Sequence, residues 1–289
     1  MIDQIVESPL VGVPVAAGPT LESAVGGLSR DLRRDLKERG HLTLNELLNK
    51  VYDWEQIHGE KLSEQDFEVL SILSMVLGTT KLVLDKKVGA TSVSKSTLLE
   101  SARAQQDILR TVLSNLGEDG RPNRGVVKSL ALAGEIFEGY FNPRNPKIDT
   151  AGVETEAGLW QAVQGLMTTA FLFREAGWEI KLPPPELDVD YGVDLIARDP
   201  DGKVYTVDVT AWVPWIIDKE AGKLSEPFFL EKEGIPPYFP PELTESVNGR
   251  LRINVPPLKH HASQGFYEDR VSGYPHRTAV NKFMQMLNI

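Results

Sequence analysis

Two prolines within five residues, in Asn142-Pro143-Arg144-Asn145-Pro146, cut the chain into halves that follow different rules. A helix cannot run through such a stretch, because each proline lacks a backbone N–H and clashes with the preceding turn. Before this point apolar residues recur with a helical period, and after it short apolar runs alternate with turn residues. The switch predicts an all-helical domain over residues 1–149 and an α/β domain over residues 150–289, and 289 residues suffice for both.

In the first half each periodic stretch opens on a helix-start signal. Thr43-Leu44-Asn45-Glu46 reads as a capping box, followed by Leu44, Leu47, Leu48, Val51 and Tyr52 on one face. Ser63-Glu64-Gln65-Asp66 predicts a second helix carrying Phe67, Leu70, Leu73 and Leu77 inward, with Gly78 as its stop. Thr97-Leu98-Leu99-Glu100 opens a third, to Gly117, and a fourth spans about residues 125–141.

The second half starts with a long helix from Glu154 to Ala176, ended by Gly177. Strands follow over 178–182, 191–198 and 203–211, the last two joined by the turn Asp199-Pro200-Asp201-Gly202. Residues 214–241 read as an irregular insertion, 250–255 as a fourth strand and 279–287 as a closing helix.

Composition narrows the chemistry. With no Cys, a disulfide framework, a thiol nucleophile and a Cys-ligated zinc are all excluded. No run approaches a membrane span and the first basic residue is Arg30, so a soluble, cytoplasmic protein is expected. The net charge of −10 is unevenly spread: residues 186–245 hold 5 Lys/Arg against 14 Asp/Glu, and residues 246–289 hold 6 Lys/Arg against 2 Asp/Glu. An acidic block is thus followed by a basic tail, whose Arg250, Arg252, Lys259 and His260 are the candidates for nucleic-acid contact.

The acidic block contains Asp194 on the second strand and Asp208 on the third. Alternation puts Val204, Thr206, Asp208 and Thr210 on one strand face and Tyr205, Val207 and Val209 on the other. Two aspartates on adjacent strands can hold a hard divalent cation through oxygen, so both are candidate metal ligands. Glu156 is a third candidate acid, since it precedes Leu159, Trp160 and Val163 by helical spacings and falls on the apolar side of its helix.

In the stretches Gly177-Trp178-Glu179-Ile180, Tyr191-Gly192-Val193-Asp194-Leu195-Ile196-Ala197 and Tyr205-Thr206-Val207-Asp208-Val209, the chain resembles the PD-(D/E)xK, or restriction-endonuclease-like, nuclease superfamily over about residues 150–260. The resemblance implies an αβββαβ core with a mixed sheet, an α+β or α/β fold. It implies Glu156, Asp194 and Asp208 as the motif acids, Mg²⁺ or Mn²⁺ as cofactor, hydrolysis of phosphodiester bonds and nucleic acid, DNA foremost, as substrate. The motif lysine is replaced by Thr210, whose hydroxyl carries no charge at neutral pH. Lys219 is the candidate to supply that charge instead. The opposing expectation is that the fold persists as a catalytically inactive module binding nucleic acid or protein, with the helical domain contacting a protein partner.

Other signals are weak. Gly89 to Ser96 lacks the glycine a phosphate loop needs before its lysine, adjacent His260 and His261 rarely face one ion, no serine-nucleophile elbow exists, and Trp212 and Trp215 read as packing residues.

Overall fold

The computed structural model describes residues 21–39, 42–78, 94–139, 156–210, 228–256 and 265–288. The Asn142–Pro146 boundary, Trp212, Trp215, Lys219, Lys259, His260 and His261 lie outside them.

Helix α1 (Leu21–Arg39) buries Ala24, Val25, Leu28 and Leu32, the stripe that period 3.6 sets. α2 (Leu44–Gly59) starts at the capping box: the Glu46 N–H donates to Thr43 Oγ1 at 3.2 Å, and the Thr43 N–H donates to Glu46 Oε2 at 2.8 Å. α3 (Glu64–Leu70) is capped by Ser63, which accepts from the Asp66 N–H. This helix ends at Ser71 instead of running to Gly78, and a separate helical stretch over 72–78 buries Ile72, Leu73, Val76 and Leu77. Phe67 is therefore not a core residue; it is 39% exposed, and its ring lies over Gly59 where no Cβ would fit.

α4 (Lys95–Ser114) begins earlier than the Thr97 signal indicated. Ser94 is its cap, with its hydroxyl accepting from the Thr97 N–H, while Thr97 itself is buried. α5 (Arg124–Gly139) and α6 (Glu156–Glu175) follow, and α6 buries Val163, Leu166, Met167, Ala170 and Phe171.

Strand β1 (Glu179–Lys181) leads into the triple proline, and here the sequence expectation fails. Residues 185–191 form a helix, α7 (Pro185–Tyr191), with a proline in its first turn and Gly192 as its left-handed cap at φ 63°. Proline is suited to a first helical turn and glycine to such a cap, so the signal was in the sequence. Strand β2 is correspondingly short (Leu195–Arg198), and Asp194 sits just before it, although its N–H still bonds the Val207 carbonyl. The expected turn joins β2 to β3 (Val204–Thr210), with the Asp199 side chain accepting from the Lys203 N–H.

The region expected to be irregular contains a strand, β4 (Phe229–Glu233), and then a helical turn, α8 (Pro241–Thr244), that leads to β5 (Gly249–Asn254). A two-stranded ribbon, β6 (Tyr267–Asp269) with β7 (Tyr274–Pro275), precedes α9 (Arg277–Leu287), which is capped by His276.

The main sheet has the order β1-β2-β3-β5-β4. β3 and β5 are parallel and the other neighbours antiparallel, so the fold is mixed α+β with a mixed sheet. One sheet face, carrying Leu195, Ala197, Val207, Leu251 and Ile253, joins a buried cluster that extends from Val25 and Leu47 through Phe171 to Phe283 and Leu287. The other face is not open to solvent either. Ile196 and Val204 on it pack with Leu187 and Tyr191 of α7 and with Val193, Phe239, Leu243 and Val247, which form a smaller cluster. Among the described residues no helix is long and apolar enough to cross a membrane.

Candidate carboxylate site

Strand pleating and register build the site. Asp208 of β3 lies beside Arg252 of β5, and Thr206 beside Arg250, so all four side chains leave the same face of the sheet. α7 and the segment around Phe239 cover this face, which is why groups on a nominally polar surface are partly withdrawn from water.

Arg250 is the centre of the arrangement and is only 7% exposed. Its Nη2 donates to Asp208 Oδ2 at 2.6 Å and to the Gly192 carbonyl at 3.4 Å. Its Nη1 donates to the Tyr238 hydroxyl at 2.5 Å, and its guanidinium lies over the Phe239 ring. Nε has no hydrogen-bond partner; the nearest carboxylate oxygen, Glu233 Oε2, is 3.9 Å away. Arg252 adds a second cation, with Nε 3.4 Å from Asp208 Oδ2 and Nη1 3.4 Å from Glu233 Oε1. Burial, the largest influence on Arg250, works against its charge, but the hydrogen bond and charge of Asp208 outweigh it and hold the guanidinium ionised.

Asp194 lies across the β2–β3 pair from Asp208, next to Leu195, which is opposite Val207. Its Oδ2 accepts the Val209 N–H at 2.6 Å. Burial pushes its carboxyl up to about 8, the Val209 hydrogen bond and Arg250 oppose this, and the charges of Asp188 and Asp208 add to it. Asp188, on α7, is pushed up to about 6 by burial and by Asp208. Asp188, Asp194 and Asp208 thus sense one another's charge within one region, and Arg250 is a cation that acts on both Asp194 and Asp208.

The sequence points to Asp194, Asp208, Arg250 and Arg252, and the fold brings all four together. The two arginines are engaged with protein carboxylates. Glu156 begins α6, and its side chain lies outside the described residues, as does Lys219. Thr210 is exposed at the end of β3, opposite Asn254. Asp188, Gly192, Glu233 and Tyr238 were not foreseen. Asp188 could have been found from Pro185 and the acids Glu186 and Asp188 that follow it, a helix-start pattern that complements the helix dipole.

The family resemblance implies a divalent cation at these acids. Among the described residues no three His, Asp or Glu side chains converge as a metal site. Both guanidinium groups converge on Asp208 Oδ2, and Asp194 Oδ2 is taken by a backbone N–H. These residues do not fit a resident metal ion. Comparison with protein-family models, curated proteins and solved structures finds no match to the chain.

Proposed function

We propose that this chain is a nuclease-fold protein whose carboxylate site does not hydrolyse phosphodiesters, and that it acts by binding a protein partner. The restriction-endonuclease-like reading is supported by helix α6 ahead of β1, the antiparallel β1-β2-β3 run and the parallel placement of β5 beside β3. The observation that carries the non-hydrolytic reading is the Arg250–Asp208 pair, 2.6 Å long, with Arg252 on the same oxygen. A cation needed by a phosphate would have to displace two guanidinium groups, and Thr210 supplies no replacement charge. A protein partner is favoured over nucleic acid by the net charge of −10, by the internal use of the two arginines, and by Tyr52, Ile57 and Phe67, which stay exposed on α2 and α3.

The second reading, metal-dependent hydrolysis with Asp194 and Asp208 as ligands, is favoured by the crowding of Asp188, Asp194 and Asp208. One experiment separates the two. Labelled single- and double-stranded DNA and RNA are incubated with the chain in Mn²⁺ or EDTA, and binding is followed by mobility shift. The expected result is neither cleavage nor a shift. Mn²⁺-dependent cleavage that disappears in Asp208→Ala would establish the hydrolytic reading, and a shift without cleavage would replace the protein partner with nucleic acid.

A further inference from the structure

Helix α2 breaks its own pattern at Glu55. The stripe that faces the core runs through Leu48 and Val51, and helical spacing puts its next position at residue 55. A carboxylate stands there in place of an apolar side chain, and Glu55 is only 8% exposed. Its Oε1 has no hydrogen-bond partner, and burial pushes the carboxyl up although the Ser74 hydroxyl favours its charge. A buried carboxyl with an unanswered oxygen costs the fold more than a packed apolar side chain of similar size. Packing alone therefore gives no reason for an acid at this position.

Glu55 lines an open groove of about 610 Å³, together with Gln56, Ile57, Gly59, Glu60 and Phe67, where α2 gives way to α3. Ile57 and Phe67 are exposed there. Gly59 lets the Phe67 ring form a wall of the groove, since a Cβ at residue 59 would stand 2.6 Å from Phe67 Cε2. The charge is one-sided: residues 53–68 hold six Asp/Glu against Lys61 alone. Among the described residues, Glu55, Glu60 and Glu68 form no ion pair. An arginine is complementary to such a groove, because its stem packs on apolar surface while its planar guanidinium stacks on an aromatic ring and gives paired hydrogen bonds to a carboxylate.

We propose that the groove between α2 and α3 docks a basic segment of the partner protein, with an arginine side chain packed on Phe67 and hydrogen-bonded to Glu55. This rests on the reading of the chain as one that binds a protein, and it gives that partner a place and a chemistry. Docking supplies the missing hydrogen bond at Glu55 Oε1 and covers Ile57 and Phe67 in the same step. The same acids repel an acidic peptide or a nucleic-acid backbone.

The test uses the full chain and a fluorescein-labelled peptide of alternating arginine and leucine, followed by fluorescence anisotropy at about 0.15 M salt, where charge interactions beyond the immediate site are screened. Wild type binds the peptide saturably, one per chain, and does not bind a peptide of the same length with glutamate for arginine. Glu55→Gln, which keeps hydrogen-bonding capacity toward Ser74, and Phe67→Ala each weaken binding at least about tenfold, the loss expected for one charge-assisted hydrogen bond or one buried aromatic contact. Glu118→Gln removes the same charge from an exposed turn outside the groove and leaves the affinity unchanged. Should Phe67→Ala fail to fold, Ile57→Ser on the exposed face of α2 carries the same expectation. Absence of saturable binding by wild type overturns the proposal. So does an affinity that falls no further in Glu55→Gln than in Glu118→Gln, which would make the attraction one of net charge alone. A mobility shift or cleavage of nucleic acid by wild type would instead end the protein-partner reading, so the two failures are distinguishable.

Discussion

Asp194 and Asp208 have the same chemistry but different surroundings. Asp208 is neutralised by two arginines, whereas Asp194 is withdrawn from water with one backbone N–H for a partner. A carboxyl raised to about 8 in the folded chain binds its proton more tightly there than when unfolded, where it titrates near 4. Between these values the folded state holds the extra proton, so stability falls as pH rises from about 4 to about 8 and is then unaffected by this group. Asp194→Asn removes the effect while keeping an oxygen for the Val209 N–H. The variant should match wild type near pH 4 and exceed it at pH 8 by up to about 5 kcal/mol, about 1.4 kcal/mol for each pH unit between about 4 and about 8. Urea unfolding at the two pH values measures this, and equal stability at pH 8 would refute the assigned cause. The aspartates and arginines were legible as residues because strand alternation fixes which side chains share a face. Their pairing was not, because the register of β5 against β3 is a long-range property that local pattern does not encode.

Among the elements, legibility tracked the strength of local signals. The capping box at Thr43, the turn at Asp199 and the period of α6 appear as expected. β4 was missed because Glu231, Lys232 and Glu233 give an edge strand no apolar alternation. α7 was missed because seven residues are too few to display a period, leaving only its end signals, Pro185 with Glu186 and Asp188 at the start and Gly192 at the stop. α4 shows how a cap can be misplaced: Ser94 and Thr97 both have the right chemistry, and only Ser94 has the extended backbone of a cap. Ser94→Ala should therefore destabilise the chain by about 1 kcal/mol, a typical loss for a helix cap. Chemical denaturation decides it; no change would show that the helix start is held by other contacts. Position matters here because Lys95 and Arg103 of α4 pair with Asp190 and Glu186 of α7, the helix that also carries Asp188.

At the scale of the molecule, the halves divided by the Asn142–Pro146 stretch share one buried apolar cluster. Burial of both sheet faces was not legible from strand 203–211, whose Thr206, Asp208 and Thr210 mark one side as polar. The covering residues Leu187, Tyr191, Phe239 and Leu243 come from segments with proline-rich flanks and no clear period. That cover turns a surface ion pair into a nearly enclosed one, bridging the central parallel strands, so its energy registers in global unfolding. A double-mutant cycle with Arg250→Met, Asp208→Asn and the pair together tests the claim that Asp208 is neutralised from within the protein. The account predicts a coupling of about 2–3 kcal/mol, because each single change strands the other partner while the double change does not. A coupling near zero would contradict it, and would mean that the two groups meet solvent or another ion in preference to each other.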